Sequence, residues 1–224
     1  MNYFKSIYAI VRKDIIMELR SKEVVNSMLV FALLVTVVFS FIFEPGSESK
    51  QEVVGGIFWV AVVFSGLLGL GKSMVSEVQG GNLEALLLSP VDRSAVFFGK
   101  FLSNFIFLLF MEAVLLPLFT VFYGINIVVH PKVVLIIFLA TYGFCLLGTL
   151  FSLISVRTKT REIMLPLMLL PIMVPVILGA ILSVNVFIMG NPPEEASNWI
   201  TLIASFDAIF TAVIFALFGL IIEE

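Results

Sequence analysis

The chain has 224 residues, of which 60% are apolar and 13% charged, against about 45 to 50% and 25% in soluble domains. That balance excludes a soluble globular enzyme or a nucleic-acid-binding module and makes the chain an all-α integral membrane protein. The formal charge of −3 carries little, because in such a protein the placement of Lys and Arg matters more than their sum.

Residues 3–20 come first. Phe4, Ile7, Tyr8, Val11, Ile15 and Leu19 recur there at three- and four-residue spacing, with charges largely on the other sides. The pattern predicts an amphipathic helix lying in the headgroup region, its basic residues toward anionic lipid; the plainer alternative is a helical extension of the first span. Lys5, Arg12, Lys13, Arg20 and Lys22 interrupt every apolar stretch before Val24, which is unlike a cleaved secretory signal. The first span is expected to be retained.

Six apolar runs follow, at 24–43, 53–71, 101–123, 133–156, 163–189 and 199–222. Each is about the 20 residues that cross a bilayer as a helix. No interval between them is long enough for a soluble domain of about 50 residues, so residues 1–224 form a single transmembrane domain. In the second run Ala61, Ser65, Gly69 and Ser73 repeat every four positions and predict a flat face for close helix packing. Ala140, Gly143, Gly148 and Ser152 do the same in the fourth. The fifth contains Pro166, Pro171 and Pro175, each expected to bend or break the helix and to leave backbone groups for burial or a wet cavity. Cys145 is the single cysteine and reads as a small packing residue.

Six spans place both termini on one side. Eleven Lys and Arg fall on that side: Lys5, Arg12, Lys13, Arg20, Lys22, Lys72, Arg93, Lys100, Arg157, Lys159 and Arg161. Only Lys50 and Lys132 fall on the other. The positive-inside rule therefore predicts cytoplasmic termini.

The interval from Gly66 to Lys100 holds the most charges and turn residues outside the spans. Gly66 to Ser73 fits the phosphate-loop pattern G-x4-G-K-[ST]. A working phosphate loop follows a strand in a soluble sheet, whereas this one lies at the end of a membrane helix, so nucleotide binding is not expected. Further on, Asn82 can cap a short cytoplasmic helix over residues 83–89, with Glu84 in its first turn and Pro90 ending it. Leu83, Leu86 and Leu87 share a face; flanked by Glu77, Asp92 and Arg93, that face suits docking into a groove on another protein. The alternative is a connector packed on lipid. Asp92 or Ser94 is placed to start the next helix.

The order of elements resembles the membrane subunits of type-2 ABC exporters. Arg12 to Glu23, Gly66 to Ser73, Leu83 to Lys100 and Met111 to Phe119 are similar to the CcmB, or haem exporter protein B, family. LLLSPVDRS is the most specific segment, and Gln79-Gly80-Gly81 departs from the charged stretch expected there. The resemblance implies a homodimer of this subunit with two copies of the ATPase CcmA, together with CcmC and CcmD, in the bacterial inner membrane. It further implies that ATP is bound by the partner and no cofactor by this chain, and that haem is a possible cargo. ATP turnover on CcmA would free the haem-loaded chaperone CcmE, with residues 83–93 coupling the two chains.

Two carboxylic acids fall inside spans, Glu112 and Asp207. A charged side chain facing lipid at the bilayer centre costs about 2.5 to 3.5 kcal/mol on insertion scales, so both are expected to face protein or water, in a structural, transport or coupling role. His130, the only histidine, is expected to be structural or solvated, which argues against a bis-histidine haem site. Two rival functions remain: an ion-coupled secondary transporter using Glu112 and Asp207, and a non-transporting scaffold. No recurring nucleophile and base or metal-ligand set supports a membrane enzyme.

Overall fold

The computed structural model describes residues 3–42, 48–79, 91–127, 130–155 and 161–222. Among them there are seven helices and no strand: α1 (Tyr3–Ser21), α2 (Glu23–Ser40), α3 (Glu48–Gln79), α4 (Arg93–Tyr123), α5 (Pro131–Ser155), α6 (Arg161–Ile188) and α7 (Glu195–Ile222). Helices α2 to α7 are all long and apolar enough to cross a membrane.

Helix α3 is the centre of the bundle, packing against α2, α4, α5 and α6. Its glycines and small side chains allow this. Ala61 and Ser65 are fully buried, Gly69 meets the Met28 side chain of α2, and Gly66 meets the Phe144 ring of α5. Gly148 of α5 in turn receives Leu70. The nucleotide-like stretch from Gly66 to Ser73 is therefore continuous helix, and Gly66 and Gly69 are contact points rather than a phosphate cradle, while a Cβ at Gly71 would meet nothing within 4 Å. Helix α7 is outermost, packed on α6 and α5.

At the end away from the amino terminus, Tyr123 closes α4. Its ring stacks on Phe119 with centroids 4.9 Å apart, and its hydroxyl donates to the Thr36 carbonyl of α2 at 3.0 Å. Gly124 then stops the helix in the left-handed region, φ 67°, with its N–H bonded to the Thr120 carbonyl. Asn185 of α6 donates to the Glu52 carbonyl of α3 at 2.9 Å. The Nδ1 of His130 accepts from the Lys132 N–H at 3.1 Å, and its ring stacks on Phe187. This histidine starts α5 and packs it on α6.

Two expectations need correction. Helix α6 runs unbroken through Pro166, Pro171 and Pro175. Pro171 and Pro175 lie on its exposed side, while Pro166 lines an apolar groove of 390 Å³. Lys72 and Lys100 are not loop residues, because α3 extends to Gln79 and α4 begins at Arg93. In α1, Phe4, Tyr8 and Leu19 are exposed, in keeping with an apolar stripe turned to lipid. The residues turned to the protein are Ser6, Ile10, Val11, Asp14 and Glu18, two of which are acidic.

Candidate functional site

The stripe on α1 builds the main polar site. Gly99 lets α1 approach α4 closely, since a Cβ there would lie 2.8 Å from Ile10 Cγ2. One turn beyond Ile10, Asp14 is thereby brought over Lys100, one residue beyond Gly99. The Lys100 ammonium, on a side chain 1% exposed, donates to both Asp14 oxygens at 2.9 Å. It also donates to Oε1 of Glu77, which is 3% exposed at the end of α3. Lys13 completes the group from the rim, at 2.9 and 3.1 Å from the Glu77 oxygens and 3.4 Å from Asp14.

Two cations and two carboxylates thus cancel in formal charge. Cancellation matters here because each ion leaves water at a cost of several kcal/mol, recovered only when partners and hydrogen bonds are well placed. Burial opposes the charge on Lys13, but the hydrogen bond to Glu77 and the two nearby carboxylates outweigh it, and the pKa is raised above 10.5.

Glu18, one turn past Asp14, fixes the corner into the first span. Lys22 sits at the α1–α2 junction in the left-handed region, φ 56°, and supplies no side-chain cap. The Glu18 carboxylate accepts from the N–H groups of Val25 at 2.8 Å and Val24 at 3.4 Å. It therefore satisfies the open amides at the start of α2 from the preceding helix. A polar crevice of 660 Å³ opens beside this corner, walled by α1, α2, α3 and α4.

The cluster is centred on the ends of α3 and α4 that flank residues 80–90. Leu83, Glu84, Leu86, Leu87 and Pro90, the proposed docking residues, lie outside the described residues. Asp92 and Arg93 are exposed at the start of α4. Asp92 occupies the N-cap position, its carbonyl accepts from the Val96 N–H, and its side chain makes no capping bond.

The two intramembrane acids lie on opposite sides of α5. Glu112 of α4 is fully buried and accepts at Oε1 from the Thr141 hydroxyl at 2.7 Å, while Oε2 has no partner. Asp207 of α7 is 4% exposed, points at Gly143, and has no partner on either oxygen. Thr141 and Gly143 are two residues apart, hence about 200° around the helix and about 3 Å along it. The acids therefore share one depth but not one chamber. Cys145 is buried with a free thiol. No group of three or more His, Cys, Asp or Glu that could hold a metal occurs among the described residues.

The ion cluster is not legible in the charges of the sequence, where Lys13 and Lys100 read only as topology markers and Glu77 only as a flank of the docking helix. A usable signal was present in the four-residue spacing of Ser6, Ile10, Asp14 and Glu18, a helical stripe independent of the apolar one.

The family of CcmB proteins matches residues 5–220, reaching into every described helix. The chain belongs to the CcmB family. Relatives called heme exporter protein B include that of Pseudomonas aeruginosa, 26% identical over 81% of each chain. That of Rhodobacter capsulatus is 25% identical over 76% of this chain and 78% of its own. The Escherichia coli protein is 31% identical over 38% of each. This CcmB-family chain is accordingly a multi-pass membrane protein, and its buried ion cluster lies within the matched region.

Proposed function

We propose that this chain is the membrane subunit of a haem export complex in the bacterial inner membrane, with both termini cytoplasmic. The observation that carries the reading is the CcmB family match over residues 5–220, together with relatives named heme exporter protein B. Haem is then cargo rather than a resident cofactor, in keeping with the engagement of His130 as a helix start. ATP is hydrolysed on a separate CcmA subunit, and the complex contains a homodimer of this chain with CcmC and CcmD. Turnover serves release of haem-loaded CcmE.

Mechanically, residues 83–89 dock the ATPase. The flanking ends of α3 and α4 are tied by Glu77 and Lys100, and both are tied to α1 through Asp14 and Lys13. A push on the docking segment therefore moves three helices together instead of bending one loop. Replacing Leu86 and Leu87 with Asp should abolish co-purification of CcmA while membrane insertion stays intact. Unchanged co-purification would sink the reading.

A second reading rests on Glu112 and Asp207, buried acids with unpartnered oxygens, of the kind that mark ion pathways. It requires transport in vesicles that follows an ion gradient without any ATPase. Transport only with CcmA and ATP decides against it.

A further inference from the structure

Helices α4 and α5 carry a polar ladder along the bundle. On α4, Asn104, Leu108 and Glu112 follow at one-turn spacing, and on α5 so do Thr149, Cys145 and Thr141 in the opposite direction. The two end rungs are hydrogen bonds: Asn104 Nδ2 donates to Thr149 Oγ1 at 3.1 Å, and Thr141 Oγ1 donates to Glu112 Oε1 at 2.7 Å. Between them, Leu108 and Cys145 border a cavity of 10 Å³ that Asn104 also lines. That volume is at the lower edge of what one water occupies, and a buried water needs polar partners. The Asn104 amide and the Cys145 thiol supply them.

One end of the ladder meets a polar space. Val24 and Phe107 line both this cavity and the 660 Å³ polar crevice beside the ion cluster, so these side chains are a shared wall. At the other end α5 is apolar from Val133 to Ala140. On α4, Leu115 and Phe119 are fully buried, and Phe119 meets Phe58 edge-on with centroids 5.4 Å apart. Glu112 Oε2 has no partner, and a helical side chain leans toward the amino end of its helix, which for Glu112 is the direction of Leu108 and the cavity. No charged side chain lines the cavity. The charges on the crevice walls are Asp14, Glu18, Glu23 and Glu77 with Arg20, Lys72 and Lys100, and Lys13 stands at the rim. All of these lie on the crevice side of the shared wall, and Asp207 lies on the far side of α5.

We propose that Glu112 holds a proton and exchanges it with the amino-terminal side of the membrane through this cavity, by way of one water beside Asn104 and Cys145. The carboxyl O–H bond breaks as the water takes the proton, and the water passes a proton on to water in the crevice when Phe107 swings aside. Reprotonation runs in reverse. This concerns access to Glu112 and stands whichever reading of export holds.

Infrared spectroscopy of the full chain in lipid tests it. The carbonyl band of a protonated carboxyl, identified by its loss in Glu112→Gln, should shift when water is exchanged for heavy water. Asn104→Leu should slow the shift about tenfold, the rate equivalent of about one hydrogen bond. Cys145→Val, which fills the cavity with an apolar side chain, should slow it as well and serves if Asn104→Leu fails to fold. Phe107→Leu should speed the shift, and the matched Phe119→Leu at the apolar end should not. Absence of a Glu112 band, a rate indifferent to Cys145→Val, or a rate changed as much by Phe119→Leu as by Phe107→Leu overturns the proposal.

Discussion

Lys100 and Asp14 lie 86 residues apart in the chain, and the lysine ammonium sits 2.9 Å from both oxygens of the aspartate. This contact, with Glu77 as the third partner, joins the amphipathic helix to the two spans that bracket the proposed docking segment.

Lys100→Met leaves two buried carboxylates facing only Lys13. Removing one partner of a buried ion pair costs about 3 to 5 kcal/mol, so purified protein should lose its monodisperse fraction at a clearly lower temperature. The double variant Asp14→Leu, Lys100→Met should recover part of that loss, because no lone aspartate remains opposite the methionine. A double variant no better than the single one would mean that packing, not charge, dominates there.

A pH dependence follows from Lys13. Its pKa is raised in the folded protein above 10.5, so its contribution to stability is fully present below about that pH and is lost as pH rises through the folded value. Thermal stability should be insensitive to this group from neutral pH upward and should decline only in strong alkali. Lys13→Arg should postpone the decline, since arginine stays charged. Thermal scans of both proteins across alkaline pH make the comparison.

Glu18→Ala should cost on the order of 1 kcal/mol, the usual effect of losing a helix N-cap, and should expose the chain near Lys22 to protease. Glu18→Gln keeps an accepting oxygen and should be milder. Limited proteolysis in membranes reads the difference at the corner directly.

Gly143→Ala places a methyl group against Asp207. It should destabilise the α5–α7 contact by about 1 to 3 kcal/mol, the range for overpacking, and Asp207→Ala should suppress the defect. Stability of the two single variants and the double variant in detergent checks this. Additive losses would show that the two residues do not meet.

Glu112→Gln keeps an oxygen for the Thr141 hydroxyl, and Glu112→Leu removes it. The glutamine variant should insert and purify normally, while the leucine variant leaves a buried hydroxyl without its partner, at about 1 to 3 kcal/mol. Export activity lost in Glu112→Gln with normal folding would give the carboxyl a role beyond structure.

The six spans were legible because bilayer thickness imposes a length and an apolar content that Val24 to Phe43 or Val133 to Val156 display without any knowledge of neighbours. Contacts of small residues were partly legible, since four-residue spacing selects a face; it did not reveal that Gly69 meets Met28 or Gly143 meets Asp207. Charges misled more. Lys100 in isolation looks like a topology marker at a span's edge, and only the arrival of Asp14 and Glu77 makes its burial tolerable. Pro171 and Pro175 misled for a related reason: a proline's effect depends on which side of the helix it occupies, and the spacing alone does not say which side meets lipid.

The ion cluster also sets an order of assembly. Asp14 and Glu18 leave the ribosome first, Glu77 later, and Lys100 last. At synthesis rates of about 5 to 20 residues per second, the 86-residue separation leaves Asp14 without its buried partner for roughly 4 to 17 s. The amino-terminal helix can dock only after the third span has begun to insert. A chain stalled before Lys100 would display an undocked amino-terminal helix at the membrane surface, with Asp14 lacking the lysine that buries it in the finished protein.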